Sequence, residues 1–410
     1  MVVAALPSAG TAGSEIFRDA PTSLNLTEQQ RTQLDLAWTS DATTGVKIVE
    51  AASYSTLQDV LTKDANNPAA PSKISLALGD NVVVTASRTS VVENAGMAIW
   101  RGTVDDSGGQ VTLMWWADGE MAGTIQHEGR YYSVRRISGS LHAIIELSDE
   151  RMPPEHPSPM LVASDRFGGS QRNRVLNAPL QPKVRKPAAN EEVTIDVLVA
   201  YTKKAASYYG DIEHEVIALA IEEANESFRI SNLGNVRLRL VHAYQTDYVE
   251  EGGQFEHLWR LADRGDGYMD EVHGLRDNFL ADVVVLIVDD RQGCGLSTRV
   301  HADAEEAFAV VHHDCAATTH SVAHEIGHII GARHDPSMDK IMIPFPYGHG
   351  YVNGTKWRDI MSYRESCGGC PRLPVWSSPN VMIKGEPAGT PEQDNARVLA
   401  EEAPRVAAFR

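Results

Sequence analysis

The chain is short of cysteine, of positive charge and of long apolar runs, and each shortage removes a class of function. Only 4 of its 410 residues are cysteine and none precedes Cys294, so a disulfide-stapled or cysteine-ligated N-terminal half is excluded. No run reaches the roughly 18 consecutive apolar residues of a membrane-spanning helix. A formal net charge of −18 argues against nucleic-acid or anionic-membrane partners, which select an excess of Lys and Arg. The opening Met1-Val-Val-Ala-Ala-Leu-Pro7 lacks the basic and long apolar regions of a secretory leader. Either the chain starts in the cytosol or a leader has already been removed.

The charge that is present is unevenly placed. Residues 1–190 carry 17 Lys+Arg against 20 Asp+Glu, and the remainder 20 against 35. Between Arg166 and Asn190 there are six basic residues, three prolines and no acid, a stretch unable to bury a core and open to proteases. The chain therefore divides into a first domain over 1–165, a basic linker over 166–191 and a second domain over 192–410. Residues 1 to about 25 read as a loose arm. From Lys47 to about Glu146, short β-branched and aromatic runs such as Gln110-Val-Thr-Leu-Met-Trp-Trp116 alternate with turns such as Asp118-Gly119, the pattern of an antiparallel sheet, sandwich or small barrel. Past the linker, strand-like Val193–Tyr201, Val236–Tyr244 and Asp282–Asp289 alternate with helical spacings at Val216, Ala220, Ala224 and Phe228. The fold class is α+β: a mostly-β first domain, then a mixed α/β domain whose sheet leads into a helix starting near Thr318 or Thr319.

All four cysteines fall in the acidic second domain. Sequence order favours Cys294 with Cys315 and Cys367 with Cys370, although four buried free thiols are the other reading. Disulfides imply an oxidising compartment. A redox or metal role for Cys367-Gly-Gly-Cys370 lacks a second CxxC and the flanking strand and helix it needs.

The chemistry concentrates in His324-Glu-Ile-Gly-His328-Ile-Ile-Gly331-Ala-Arg-His334-Asp335. His324 and His328 lie one helical turn apart and can reach a single ion from one face. Glu325 beside them is placed to deprotonate a metal-bound water rather than to ligate. Gly331 lets the chain leave the helix with positive φ and return His334 as third ligand. Three neutral imidazoles leave one position open, the arrangement of a catalytic rather than a structural Zn2+. His312, His313, His320 and His349 read as ordinary hydrogen-bonded histidines.

With Trp357-Arg-Asp-Ile-Met361-Ser-Tyr363 following, the chain resembles the metzincin zinc endopeptidases, whose extended motif and downstream methionine turn these residues match. The resemblance covers about 192–410. It implies Met361 as a hydrophobic floor beneath the histidines and, on the reprolysin (adamalysin) side, Asp335 as a brace of the fold. On the serralysin and astacin side it implies Tyr363 as a metal ligand or oxyanion donor; on the other it is a cleft tyrosine. The closing segment Val375–Val381 with Asp394-Asn-Ala-Arg-Val-Leu is similar to secreted bacterial reprolysin-like endopeptidases, including the peptidyl-Asp type. The resemblance further implies a peptide added to an edge strand between Gly295 and Val311 and an S1′ pocket walled by 364–376. There Arg364 and Arg372, if buried, would favour an acidic P1′ side chain, and if exposed would not.

The first domain resembles reprolysin-type propeptides over Gly123–Leu147, which implies a precursor whose own prodomain is an intramolecular inhibitor. Such propeptides often block zinc with a cysteine, and none is available here; latency must rest on another ligand, for which His156 and Asp165 are the candidates, or on steric cover. Protein or peptide substrates are implied, structural calcium stays unassigned, and secretion is the expected destination. Alternatives are a zinc-binding adhesion or toxin-type protein with a permanently attached β-domain, and a protease delivered into a host cytosol.

Overall fold

The computed structural model describes residues 14–53, 73–157 and 191–410, apart from Thr22, Asp80, Asn81 and Ala95. Nearly all of the basic linker, and Asp165 with it, lie outside these residues. The chain forms two compact units: Met1–Arg151 with Tyr208–Glu215, and Met152–Ser207 with Val216–Arg410.

The first unit is built on one sheet: β1 (Ser14–Glu15), β2 (Phe17–Asp19), β3 (Thr43–Ala51), β4 (Lys73–Ala77), β5 (Val83–Asn94), β6 (Met97–Val104), β7 (Gln110–Trp116), β8 (Met121–His127), β9 (Arg130–Ser138) and β10 (Leu141–Ser148). Its order is β1-β4-β5-β6-β7-β8-β9-β10-β3-β2, a run of antiparallel neighbours from β4 to β2 with only β1 parallel to β4. Tight turns such as Ala117–Gly119, between β7 and β8, reverse the chain between successive strands. Trp100, Leu113, Trp115, Ile125, Tyr132 and Val134 form its core. The N-terminal arm is not loose throughout: Ile16 and Phe17 are buried there, since β2 pairs with β3 and Phe17 leaves water at a gain of roughly 1.5–3 kcal/mol. A helix the strand pattern did not announce, α1 (Glu28–Thr39), starts at a capping box in which Thr27 and Gln30 satisfy each other's backbone N–H.

The second unit holds a sheet in the order β12-β11-β13-β15-β14. Its strands are β11 (Val193–Thr202), β12 (Val236–Thr246), β13 (Val283–Val288), β14 (Gly295–Ser297) and β15 (Phe308–His312). β12, β11, β13 and β15 run parallel and β14 is the antiparallel edge. β13, Val-Val-Val-Leu-Ile-Val, is buried throughout, as a parallel strand covered on both faces must be. Leu198, Val284, Leu286 and Val310 pack with Leu258 and Leu261 of α3 (Gln254–Ala262) and Val272 of α4 (Glu271–Asn278). Further helices of this unit include α2 (Leu219–Ile230), α5 (Ser321–Ile330) and α6 (Asn395–Val406), besides the single turn Lys203–Ala206. Neither Thr318 nor Thr319 caps α5. The capping position is His320 at φ 59°, with no side-chain cap, because both threonine hydroxyls already bond to the preceding turn, to Asp314 O and Cys315 O. Among the described residues no helix is long and apolar enough to cross a membrane.

Candidate metal centre and cleft

Helix α5 is buried along its whole length and presents His324 and His328 on one face. The Nδ1 atoms of these imidazoles donate to Ile360 O and Ala332 O, each at 2.9 Å. That fixes the tautomer and leaves both Nε2 lone pairs aimed inward. His334, returned by the turn after Gly331, brings its Nε2 to 3.2 Å from that of His324 and 2.9 Å from that of His328. Lone pairs so opposed repel unless a cation lies between them, so the donor set fits a metal of the Zn2+ kind. Burial holds all three imidazoles below their ordinary pKa, His328 at about 4, and therefore in the neutral form that ligates. His349 Nδ1 supports the far side by donating to His334 O.

The rest of the motif surrounds this group. Glu325 is buried at 1% exposure, and its Oε2 has no hydrogen-bond partner among the described residues. Gly295 on β14 makes room for it: a Cβ there would lie 2.6 Å from Glu325 Oε1. Gly331 has φ 141°, positive but not left-handed helical, and a Cβ would meet Phe345 at 2.9 Å. Met361 is fully buried, and its Sδ lies 3.4 Å from where a Cβ on Gly327 would project, which puts it under the helix. Asp335 accepts from Tyr363 N–H at 3.1 Å, Ser366 Oγ at 3.0 Å and Ser337 N–H at 3.1 Å, so it joins the turn after His334 to the Met361 turn. The Tyr363 ring packs edge-on against His334 at 4.8 Å. Its phenol is held above its ordinary pKa by burial and by Glu155 and Glu325, and so remains a donor.

Both cysteine pairs are disulfides, Cys294–Cys315 and Cys367–Cys370. The first ties the start of edge strand β14 to the turn before α5. The second closes the short turn Glu365–Cys367 and leaves neither sulfur free as a thiolate to ligate a metal.

A segment of the chain lies in this cleft. Pro154 O and Glu155 O accept from Cys294 N–H at 2.7 Å and Gly295 N–H at 3.2 Å. Gly293 allows the approach, since a Cβ there would meet Pro157 at 2.6 Å. His156 places its ring 4.7–5.5 Å from those of the three histidines, and one nitrogen of each of the four lies within 4.8 Å of the others. His156 Nδ1 is 2.7 Å from Tyr363 Oη, and Nε2 is 3.4 Å from Glu325 Oε1. Glu155 pairs with Arg372 at 2.5 Å and Arg358 at 3.7 Å. Burial alone would raise its pKa, but Arg372 and Arg358 outweigh that and hold it below the usual carboxylate range.

Of the two arginines expected near the pocket, Arg372 is buried, at 1% exposure, and also donates to Thr319 O and Ser362 O. Arg364 is half-buried beside Gly369. Arg358 and Glu155 were not anticipated. The available signal was the Pro153-Pro154-Glu155-His156-Pro157 run, whose prolines hold the backbone extended and suited to adding along a strand.

Two further His/carboxylate groups have the spacing for an ion, but protein cations already serve them. At Asp289, His312 and His313, the Lys204 ammonium lies 3.2 Å from Asp289 and His312 Nδ1 accepts from Asp314 N–H. At Glu120, Asp211 and His214, Arg136 lies 3.3 Å from Glu120.

The comparisons with known proteins point to metallopeptidases. The family model for a reprolysin-type domain of metallo-peptidase family M12 matches residues 191–377. A peptidyl-Asp metalloendopeptidase of Xanthomonas campestris pv. campestris is 34% identical over 346 residues, covering 81% of this chain and 80% of the relative. Another, of Stenotrophomonas maltophilia, is 34% identical over 385 residues and covers 89% of each, so both alignments reach well into the N-terminal half. Among solved structures, metalloproteinase-II from Bacteroides fragilis is 15% identical with a TM-score of 0.41, covering 69% of this chain and 86% of that one, too loose a likeness to carry an argument. On the strength of the two relatives and the family match, the chain belongs to metallo-peptidase family M12 and is a metalloendopeptidase.

Proposed function

We propose that the chain is a secreted zinc endopeptidase made as a latent precursor and that it cleaves peptide bonds on the N-terminal side of acidic residues. The observation that carries the reading is the convergence of His324, His328 and His334 Nε2 atoms beside the buried carboxylate of Glu325, whose Oε2 has no hydrogen-bond partner among the described residues. In this reading residues 1–165 are the prodomain, 166–191 the processing linker and 192–410 the catalytic domain. The three histidines hold the ion, which when bound supplies Lewis-acid polarisation of the scissile carbonyl and the attacking water. Glu325 takes the proton of that water and passes it to the leaving nitrogen. The Tyr363 hydroxyl donates to the oxyanion of the tetrahedral intermediate. An extended substrate adds along β14, and Arg372 with Arg358, at the foot of the cleft, receives the P1′ carboxylate. Two disulfides suit an oxidising compartment outside the cytosol.

Cleavage of a peptide library by the linker-cleaved protein tests the specificity. The expected product termini begin with Asp or Glu, and their absence among the major products would refute an acidic P1′ preference. Chelation should abolish the activity and added Zn2+ restore it.

A further inference from the structure

Glu155 and His156 together do what a bound substrate does, from within the chain. We propose that Met152–Pro157 is a pseudosubstrate: Glu155 fills the acid-selecting pocket of Arg372 and Arg358, and His156 takes the fourth position at the metal. The inference rests on the metal site proposed above and adds to it the partner that closes it.

Three independent contacts place this segment as an occupant. Its backbone bonds to edge strand β14 through Pro154 O and Glu155 O. Its acidic side chain is paired with two guanidiniums that are themselves buried at 1% exposure. Both guanidiniums are buried, and the Glu155 carboxylate supplies them with a counter-charge from within the chain, as a substrate carboxylate would. Its imidazole reaches both groups proposed for the chemistry, Glu325 and Tyr363. What faces Glu325 is thus a ring nitrogen and not a peptide carbonyl, which leaves the occupied site nothing to hydrolyse. The neighbouring prolines, Pro153, Pro154 and Pro157, limit the conformations lost when the segment docks. Because the segment is tethered, it competes at an effective concentration on the order of mM, so a substrate of ordinary affinity is excluded until the segment leaves. A free cysteine is therefore unnecessary for latency. The acid beside the blocking histidine copies the side chain the enzyme selects.

Cobalt(II) in place of zinc reports the site without relying on turnover. The full chain, its His156→Ala and His156→Gln variants and the Glu155→Ala/His156→Ala double variant are loaded with one equivalent of Co2+, with circular dichroism confirming the fold. The visible spectrum of the wild type should be that of four nitrogen donors and should change in both His156 variants, where water enters. A short Asp-containing peptide should then perturb the double variant's spectrum at a concentration at least about ten-fold below that needed for the wild type. Stoichiometric Co2+ uptake with identical spectra in wild type and both His156 variants overturns ligation by His156 and leaves the three-histidine site standing. Equal peptide affinity in wild type and double variant overturns occupancy of the pocket. Failure of folded wild type to take up Co2+ overturns the metal site itself and this inference with it.

Discussion

At the scale of single residues the cleft depends on positions where a side chain is absent. Gly295 faces Glu325, and a methyl group at 2.6 Å from Oε1 would push the carboxylate out of line. Gly295→Ala should keep its bound metal and lose about 100-fold or more in kcat, since small misplacements of a reacting group have that effect; metal analysis beside peptide hydrolysis checks it, and full activity would remove the packing argument. Gly327 faces Trp376, whose ring would lie 2.5 Å from an added Cβ. Gly327→Ala gains up to about 1 kcal/mol of helix propensity but forces the indole off its hydrogen bond to Ser227 Oγ at 3.0 Å, and a net destabilisation of about 1–3 kcal/mol is expected in denaturant unfolding. The shared face of His324 and His328 could be read from the sequence because both lie on α5 and an α-helix maps sequence distance onto geometry, while the return of His334 was signalled by the glycine turn at Gly331. Glu155 and Arg358 could not be so read, because the pairing of Glu155 with Arg372 and Arg358 joins positions far apart in the chain, which no local period encodes.

At the scale of elements, α5 owes its end to a residue from α6. Arg405 donates to Ile329 O and Ile330 O at 3.3 and 3.0 Å and to Ala302 O at 2.6 Å, satisfying carbonyls that a helix C-terminus leaves orphaned and complementing its negative dipole end. Arg405→Met should cost roughly 1–3 kcal/mol and raise hydrogen exchange in the last turn of α5, with a fall in metal affinity because His328 sits in that turn; unchanged exchange there would contradict it. The existence of α5 was legible from its histidine and apolar spacing, while its boundary was not: Thr318 and Thr319 look like caps in sequence, yet the preceding turn takes both hydroxyls. The same holds in the first unit. The alternating runs announced the sheet, whereas α1 went unseen because its residues, Glu-Gln-Gln-Arg-Thr-Gln-Leu-Asp-Leu-Ala-Trp-Thr, show little apolar periodicity and bury only Ala37.

At the scale of the whole molecule the uneven charge and cysteine content correspond to two units of different construction. The first, without cysteine, relies on its sheet, and that sheet contains an acid-sensitive bond. His142 Nε2 accepts from Met121 N–H at 3.1 Å while Nδ1 donates to Ser140 O at 2.9 Å. Burial lowers its pKa to about 4, partly offset by Ser140 O and reinforced by Arg136. A folded value below the unfolded one means the unfolded chain binds the proton first. The stabilisation is therefore complete above about pH 6.5 and is lost as pH falls towards 4, by roughly 3 kcal/mol in all. Hydrogen exchange at the Met121 amide should follow that slope, and His142→Leu should flatten it; equal slopes in both proteins would contradict the assignment.

The central claim, that Glu325 acts as the base beside a three-histidine zinc site, is tested most directly by the Glu325→Ala protein, cut in its linker and assayed for zinc content and casein hydrolysis together. One zinc per chain with hydrolysis reduced about 100- to 10,000-fold is the expected result. Hydrolysis near the wild-type rate, in a preparation free of other proteases, would contradict the account.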